Sequence, residues 1–497
     1  MKPLLIYTIL LLCNTGFVLS ARQDTLHITL DEAIHRAINQ SVDAVVARNE
    51  YAATYWNYRR YRADLLPEFS FAGTLPYYTK SYDRYQNSDG NYSYVVSNYS
   101  QWNGALTVTQ NLALTGGKIS LESSTQKLSQ YGSGASKSWK SIPFAVTLEQ
   151  PLFGFNSLNW QKKIEPVKRK EAEQKLLADI ETTSSSVVTY YFNLLIEKIN
   201  LEIARQNLEN ANRLYKIAEA RFRIGQISEN ELLQLKVGML NSESDVVTEQ
   251  TAVESRMFEL RSYIGVDENT NVEPVLPEFV LRQIPILEYA RVLQLAQENN
   301  AISRNILRQK LEAERDVTKA KAQRWDISLY ASVGRVGEND SFLRSYEKEY
   351  MRDNQMVQVG VKIPLLDWGK RKSQVKIAET NREVVNAKTD NLQRDFNRQI
   401  FIAVQNFNNQ PKQLTIAIEA DTIAQKRYQT SVEAFVLGKT DVLNLNDAQS
   451  AKDVARRNRI QQLYALWSYY FQIRALTAYD FIENKPLSVN YREFIKD

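Results

Sequence analysis

The chain has 497 residues, 62 of them Lys or Arg and 57 Asp or Glu, for a formal charge of +5. With no long run of one sign, that balance argues against nucleic acid as a partner. Its 17 glycines and 12 prolines are too few for an all-β protein with its many turns, so the chain reads as mostly helical.

Residues 1–20 have the pattern of a secretory signal peptide. Lys2 gives the positive n-region, Leu4 to Leu12 are apolar apart from Thr8, and Phe17 to Ser20 offer a cut before Ala21. Loss of Lys2 takes the charge from +5 to +4. The single cysteine, Cys13, leaves with the signal, which excludes a disulfide framework or a thiol nucleophile. Leu12 stands where lipid attachment at Cys13 needs a small residue. Past residue 20 no apolar run reaches about 18 residues, so membrane contact is made by a barrel or from the surface, never by a bundle of helices.

A first structural unit spans 21–265. After a strand-like start at 26–30, residues 31–66 read as helix, broken near Asn39 to Asp43 and stopped by Pro67. The period then changes from helical to two, with strands expected at about 68–80, 103–125 and 142–151. Residues either side of Thr115-Gly116-Gly117 have a hairpin signature, and Pro151 ends the last strand. A long helix follows at about 158–223, interrupted by no glycine and by Pro166 alone, with Leu194, Leu201, Leu208 and Tyr215 at seven-residue steps. Such a helix is about 100 Å long, and heptads over that length mean helices packed side by side. Gly225 breaks it, and Ser228-x-x-Glu231 restarts a return helix at 228–264 with a capping box.

A linker at 266–285 carries Pro and Glu, and the scheme begins again over 286–497. A helix runs to Trp325, strands follow at about 327–335 and 355–364, then a long helix at about 370–436 and a return helix at 440–479. The two units share punctuation in register. Pro151, Tyr215, Phe222, Gly225 and Leu232 recur as Pro364, Tyr428, Phe435, Gly438 and Leu445, all displaced by 213 positions (151 to 364, 225 to 438). Phe69 and Ile327 differ by 258 instead, so the first unit carries about 45 extra residues (258 minus 213), in the Tyr-rich region between Tyr82 and Lys140.

In this order, signal, helix, strands, very long helix, glycine turn and return helix, all duplicated, the chain resembles the TolC-like outer-membrane efflux proteins over its whole mature length. Leu30-Asp-Glu-Ala-Ile34, Arg221-Phe222-x-x-Gly225, Phe435-x-x-Gly438 and Leu443-x-x-x-Asp447-Ala448 carry the local likeness. The resemblance implies a mainly α fold with a transmembrane β part: a trimeric α-helical barrel continuing into a shared outer-membrane β-barrel. It also implies an exit duct of a tripartite efflux or type I secretion system in a Gram-negative outer membrane, with the helices in the periplasm. The implied partners are two further copies, outer-membrane lipid, a periplasmic adaptor, and an inner-membrane pump of the resistance-nodulation-division or ATP-driven (ABC) type. The extra residues depart from the family's minimal pattern of two hairpins per chain, leaving the strand count per subunit open.

Physics points the same way, because only a closed barrel satisfies every backbone group in lipid without helices, and few strands per chain require oligomerisation. Aromatics suited to an interfacial girdle fall in or beside the strands: Phe69, Phe71, Trp102, Phe144, Phe153, Trp325 and Tyr330. The plainer reading is that β-propensity enriches aromatics in any strand. From the resemblance, two acidic positions just past the second tip map onto Asn444 and Asp447, of which only Asp447 keeps a charge. Three Asp447 carboxylates around a narrow pore would favour cations; the alternative is a solvated helix-face aspartate. Asp441 reads as a first-turn residue behind Thr440 as N-cap. The turns around Phe222, Arg223 and Gly225 and around Phe435, Val436 and Gly438 are expected to dock an adaptor, the alternative being ordinary interhelical loops.

No enzyme is expected. The two histidines, His27 and His35, are eight residues apart near the mature N-terminus, and His35 reads as a surface or packing residue. Neither a phosphate-binding loop nor a nucleophile elbow occurs, so no catalytic, cofactor or metal site is assigned. Two other classes remain open. A periplasmic coiled-coil interaction protein without a channel leaves the amphipathic strands unexplained, and a specific porin leaves the long helices unexplained.

Overall fold

The computed structural model describes residues 25–132, 134–277, 284–323, 326–362 and 366–495. The expected signal at 1–20, Trp325 and Pro364 lie outside the described residues.

A short strand, β1 (Thr25–Ile28), leads into α1 (Leu30–Gln40), where Thr29 caps the helix by accepting from the Glu32 N–H at 3.3 Å. Asp31 and Glu32 in the first turn suit the helix dipole. The chain breaks at Ser41, and α2 (Val42–Ala63) ends before Pro67. Four long strands follow: β2 (Glu68–Gln86), β3 (Tyr92–Leu112), β4 (Gly117–Gln130) and β5 (Ser136–Pro151). They lead to α3 (Ser157–Arg223), α4 (Glu229–Ile264) and β6 (Asn271–Pro274), which pairs in parallel with β1.

The second half runs α5 (Tyr289–Asn299), α6 (Ala301–Ala322), β7 (Asp326–Asn339), β8 (Met351–Lys362), α7 (Lys370–Val436) and α8 (Val442–Thr477). The duplication is expressed to the residue. α3 and α7 both have 67 residues, α4 and α8 both have 36, and each pair is displaced by 213 positions (157 to 370, 229 to 442). At 1.5 Å per residue the longer helices extend about 100 Å. They continue through Pro166 and Pro411, each of which forgoes one intrahelical hydrogen bond.

Strands β2, β3, β4, β5, β7 and β8 form one antiparallel sheet in that order. The extra residues of the first unit are therefore an additional hairpin in the sheet. The stretch at 103–125, read with a hairpin signature about Thr115-Gly116-Gly117, is two strands that turn at Gly116, whose φ of 75° is left-handed. β2 runs six residues past its expected end at 80, and β3 begins eleven residues before 103.

The chain groups into two compact units, each drawn from both repeats. One comprises 1–48, 177–296 and 400–489, the other 49–176, 297–399 and 490–497. Helices of the two repeats pack against each other, so contacts group by stretch of helix and not by chain order. In the first unit Tyr191, Phe192, Leu194 and Leu260 are fully buried, and the Tyr191 hydroxyl meets the carbonyls of Ile28 and Val275. Leu194 and Leu201 of the heptad series are buried, with Leu208 and Tyr215 half-buried. In the second unit Ile164, Leu176 and Phe396 are fully buried.

Candidate functional site

Two features stand out, one in each unit: the turns between the long helices and their return helices, and the sheet. Both turns end their helix in the same way. Gly225 (φ 72°) and Gly438 (φ 73°) adopt the left-handed conformation that glycine takes without strain. The N–H of Gln226 reaches the Arg221 carbonyl and that of Gly225 the Phe222 carbonyl, both at 2.9 Å. Lys439 and Gly438 repeat the pattern onto Ala434 (2.9 Å) and Phe435 (3.0 Å). Each is a Schellman cap, which satisfies the last carbonyls of the helix. The restart at Ser228 forms the expected capping box with Glu231. At the second turn the cap is Asp441, not Thr440: its carboxylate accepts the Asn444 N–H at 2.9 Å.

Beneath the turns, Leu214, Ala218, Leu235, Tyr428, Phe435, Val442, Leu445 and Ala448 from all four helices make one apolar cluster. Phe435, expected among the docking residues, is only 5 % exposed and belongs to this cluster. Its ring is needed to fill the space between the helices, so it holds the tip together and does not present to a partner. Phe222, Val436, Ile224 and Leu437 are exposed. Arg223 points outward and pairs with Glu219, one turn back, at 3.4 Å. Arg221 joins the two turns: it donates to the Val436 carbonyl at 3.2 Å and lies 5.6 Å from the Phe435 ring centroid. A cleft of about 540 Å³ opens beside it, lined among others by Glu231, Lys439, Thr440 and Asp441.

Asn444 and Asp447 share the exposed side of the first turns of α8, with Leu445 and Ala448 buried on the other. The Asp447 side chain is 65 % exposed and is held by Arg427 of α7, Nη2 to Oδ2 at 2.5 Å. That partner was not anticipated. Twenty residues and a helical turn separate the two, and no short-range pattern connects them.

The sheet has two unlike faces. One cross-strand row runs Phe69, Val108, Leu121, Val146 and Val333; the neighbouring row passes through Ile119, Leu148, Ala331 and Val357. Many of these side chains are open to solvent, Phe71 by 75 % and Val357 by 74 %. A contiguous apolar band of that extent marks a surface meant for another apolar phase. On the opposite face Thr109, Ser120, Thr147 and Ser332 follow one another across four strands, with Thr109 3.5 Å from Ser120 and Thr147 donating to Ser332 at 3.3 Å.

The expected girdle residues divide accordingly. Phe69, Phe71 and Trp102 lie on the apolar face, and Trp102, Lys127 and Trp139 share a row at the band's edge, where the Lys127 ammonium lies 5.3 Å from the Trp139 ring centroid. Phe153 is exposed just beyond β5. Phe144 sits at an irregularity in β5, between Ser141 and Ala145, where the register shifts by one residue. Tyr330 departs from expectation: it alternates with Leu329 and Ala331 and pairs with Gln358, so it belongs to the polar face. Among the described residues no helix is long and apolar enough to cross a membrane, and no cluster of His, Cys, Asp and Glu could hold a metal ion.

Residues 118–266 match the family model described as outer membrane efflux protein. No curated protein matches the chain in sequence. Among solved structures, the Campylobacter jejuni CmeC outer membrane channel is similar with a TM-score of 0.65 at 15 % identity, covering 93 % of this chain and 88 % of that one. The outer membrane protein VceC of Vibrio cholerae gives 0.63 at 15 % identity, covering 90 % and 96 %. CusC, whose structures concern transmembrane channel formation, gives 0.61 at 16 % identity, covering 90 % and 91 %. Residues 118–266 thus carry the outer membrane efflux protein domain, and the chain as a whole has the fold of those outer-membrane channels.

Proposed function

We propose that three copies of the chain form the outer-membrane exit duct of a tripartite efflux or type I secretion system in a Gram-negative bacterium. The observation that carries this reading is one polypeptide holding both a sheet with an exposed apolar band and paired helices of 67 residues. The band supports insertion in outer-membrane lipid, and the helices are long enough to reach deep into the periplasm. A periplasmic adaptor docks on the tips through Phe222, Arg223 and Val436, set by the turns at Gly225 and Gly438. Those three side chains are exposed, while the cluster beneath fixes the backbone that carries them. The inner-membrane pump is of the resistance-nodulation-division or ABC type, and no catalysis is assigned to this chain.

The pore constriction is proposed at Asp447, with Asn444 a turn before it. Its exposure supports a role in the lumen, where the Arg427 guanidinium paired with it opposes its negative charge. In-cell crosslinking followed by identification of the co-purifying proteins tests the whole reading. Capture of an adaptor with either pump class is expected. Recovery of neither, with the chain soluble in the periplasm, replaces the duct with a coiled-coil interaction protein.

A further inference from the structure

The sheet is open: among the described residues β2 at one end and β8 at the other have a strand neighbour on one side only. Each free edge presents a row of backbone N–H and C=O groups beside an apolar band. In lipid those groups have no water to turn to, and leaving them unpaired is strongly unfavourable. β2 follows α2 and β8 precedes α7, so Glu68 and Lys362 lie at the same, helical, end of the sheet and the two edge strands run in opposite directions. An even number of antiparallel strands therefore leaves edges that match each other.

We infer that β8 of one copy pairs antiparallel with β2 of the next, and that three copies close a barrel of eighteen strands, three times the six of each sheet. This rests on the duct reading and goes beyond it. The minimal two-hairpin pattern supplies four strands per chain and twelve per trimer; here β3 and β4 add a hairpin to the wall of every subunit. That hairpin is built as wall. Val108 and Leu121 continue the apolar row that starts at Phe69, and Thr109 and Ser120 continue the hydroxyl row on the other face. Barrel diameter grows roughly linearly with strand number, so the lumen is about 1.5 times as wide as that of a twelve-stranded barrel. The membrane part is then a broad hydroxyl-lined passage, and selection of cargo falls to the helical end. The face proposed for the lumen has no apolar row to retain an amphiphile.

The test uses the full-length protein in cells. Cysteine pairs combine Phe69→Cys or Phe71→Cys in β2 with Val357→Cys, Val359→Cys or Val361→Cys in β8, since opposed residues lie within disulfide reach. Oxidation is expected to give covalent species up to the trimer for at least one pair, and none for the single variants. A series that stops at the dimer, or no covalent species from any pair in a heat-modifiable outer-membrane oligomer, overturns the edge pairing. A second scan reads the hairpin. Cysteines at 106, 108, 119 and 121 are expected to resist a membrane-impermeant maleimide, while those at 107, 109, 120 and 122 react. Uniform reaction sets the hairpin outside the wall and returns the barrel to twelve strands. If instead the protein never reaches the outer membrane, the duct reading itself has failed, and that result is distinct from either pattern.

Discussion

At the scale of single residues, partnership decides function more than residue type does. Asp447 is a carboxylate on the exposed side of α8, and whether it acts as a negative ring depends on Arg427, whose guanidinium meets it at 2.5 Å. An exposed ion pair of this kind adds little to stability, so its breakage is cheap. Arg427→Ala is expected to raise the cation-over-anion preference of the reconstituted channel, and Asp447→Asn to lower it, read as shifts of reversal potential in opposite directions under a salt gradient. Identical reversal potentials in all three proteins would remove Asp447 from the lumen. At the tip, Phe435→Ala should cost about 3–5 kcal/mol through the cavity it leaves, whereas Val436→Asp should leave the melting temperature unchanged and abolish adaptor capture. Retained capture by Val436→Asp would discard the docking surface. Tyr263 of α4 gives a pH signature. Burial pushes its phenol from 10.0 up to about 12, helped by the Asp43 carboxylate that accepts from it at 2.8 Å and opposed by a hydrogen bond with Ser186. The folded state thus favours the neutral phenol. Its contribution is complete below pH 10 and is lost as pH rises from 10 through 12. Thermal melts between pH 9 and 12 should fall less steeply for Tyr263→Phe than for the native chain; equal slopes would contradict the assignment.

At the scale of elements, the same residue type has opposite meanings by position. Gly225 and Gly438 hold left-handed caps, so Gly225→Ala or Gly438→Ala should destabilise its tip by about 1–2 kcal/mol. Gly238 lies inside α4 with open space where a Cβ would stand, and Gly238→Ala should stabilise that helix by about 0.5–1 kcal/mol. Hydrogen exchange of the tip and α4 amides reads both signs, and a loss of protection in Gly238→Ala would show that the site is not the simple helix interior described. The strands show where periodicity reads well and where it fails. Phe69 and Phe71 alternate cleanly, but β2 shifts register between Thr74 and Tyr77, so the apolar face moves from odd to even positions. A count of period two across that bulge cancels, which weakens the strand signal of β2 beyond Thr74. The hairpin at Thr115-Gly116 stays legible, since its signal is local.

At the scale of the whole molecule, the exposed apolar band dictates behaviour in solution. The protein is expected to leave membranes only in detergent and to migrate as an oligomer that heating converts to monomer, followed on denaturing gels with and without boiling. A soluble monomer after cleavage of the signal would refute membrane insertion of the sheet. The two compact units, each assembled from pieces of both repeats, also show that sequence repeats and contact domains answer different questions. A repeat reflects duplication along the chain, whereas contacts follow the side-by-side packing of its helices.

The sequence alone determined whatever rests on neighbours along the chain: the break at Ser41, the glycine turns, the capping box at Ser228, the matched pair of long helices and the resemblance that their order carries. Those signals depend on backbone conformation and helical or strand period, which a few adjacent residues set. Only the tertiary structure decided that Phe435 is core, that Asp447 is held by Arg427, that Tyr330 lies on the polar face, and that six strands make the sheet. Alternation defines two faces without saying which strand lies beside which, and an ion pair across two helices depends on their packing. Such facts arise from contacts between residues far apart in the chain, where register and packing choose the partner.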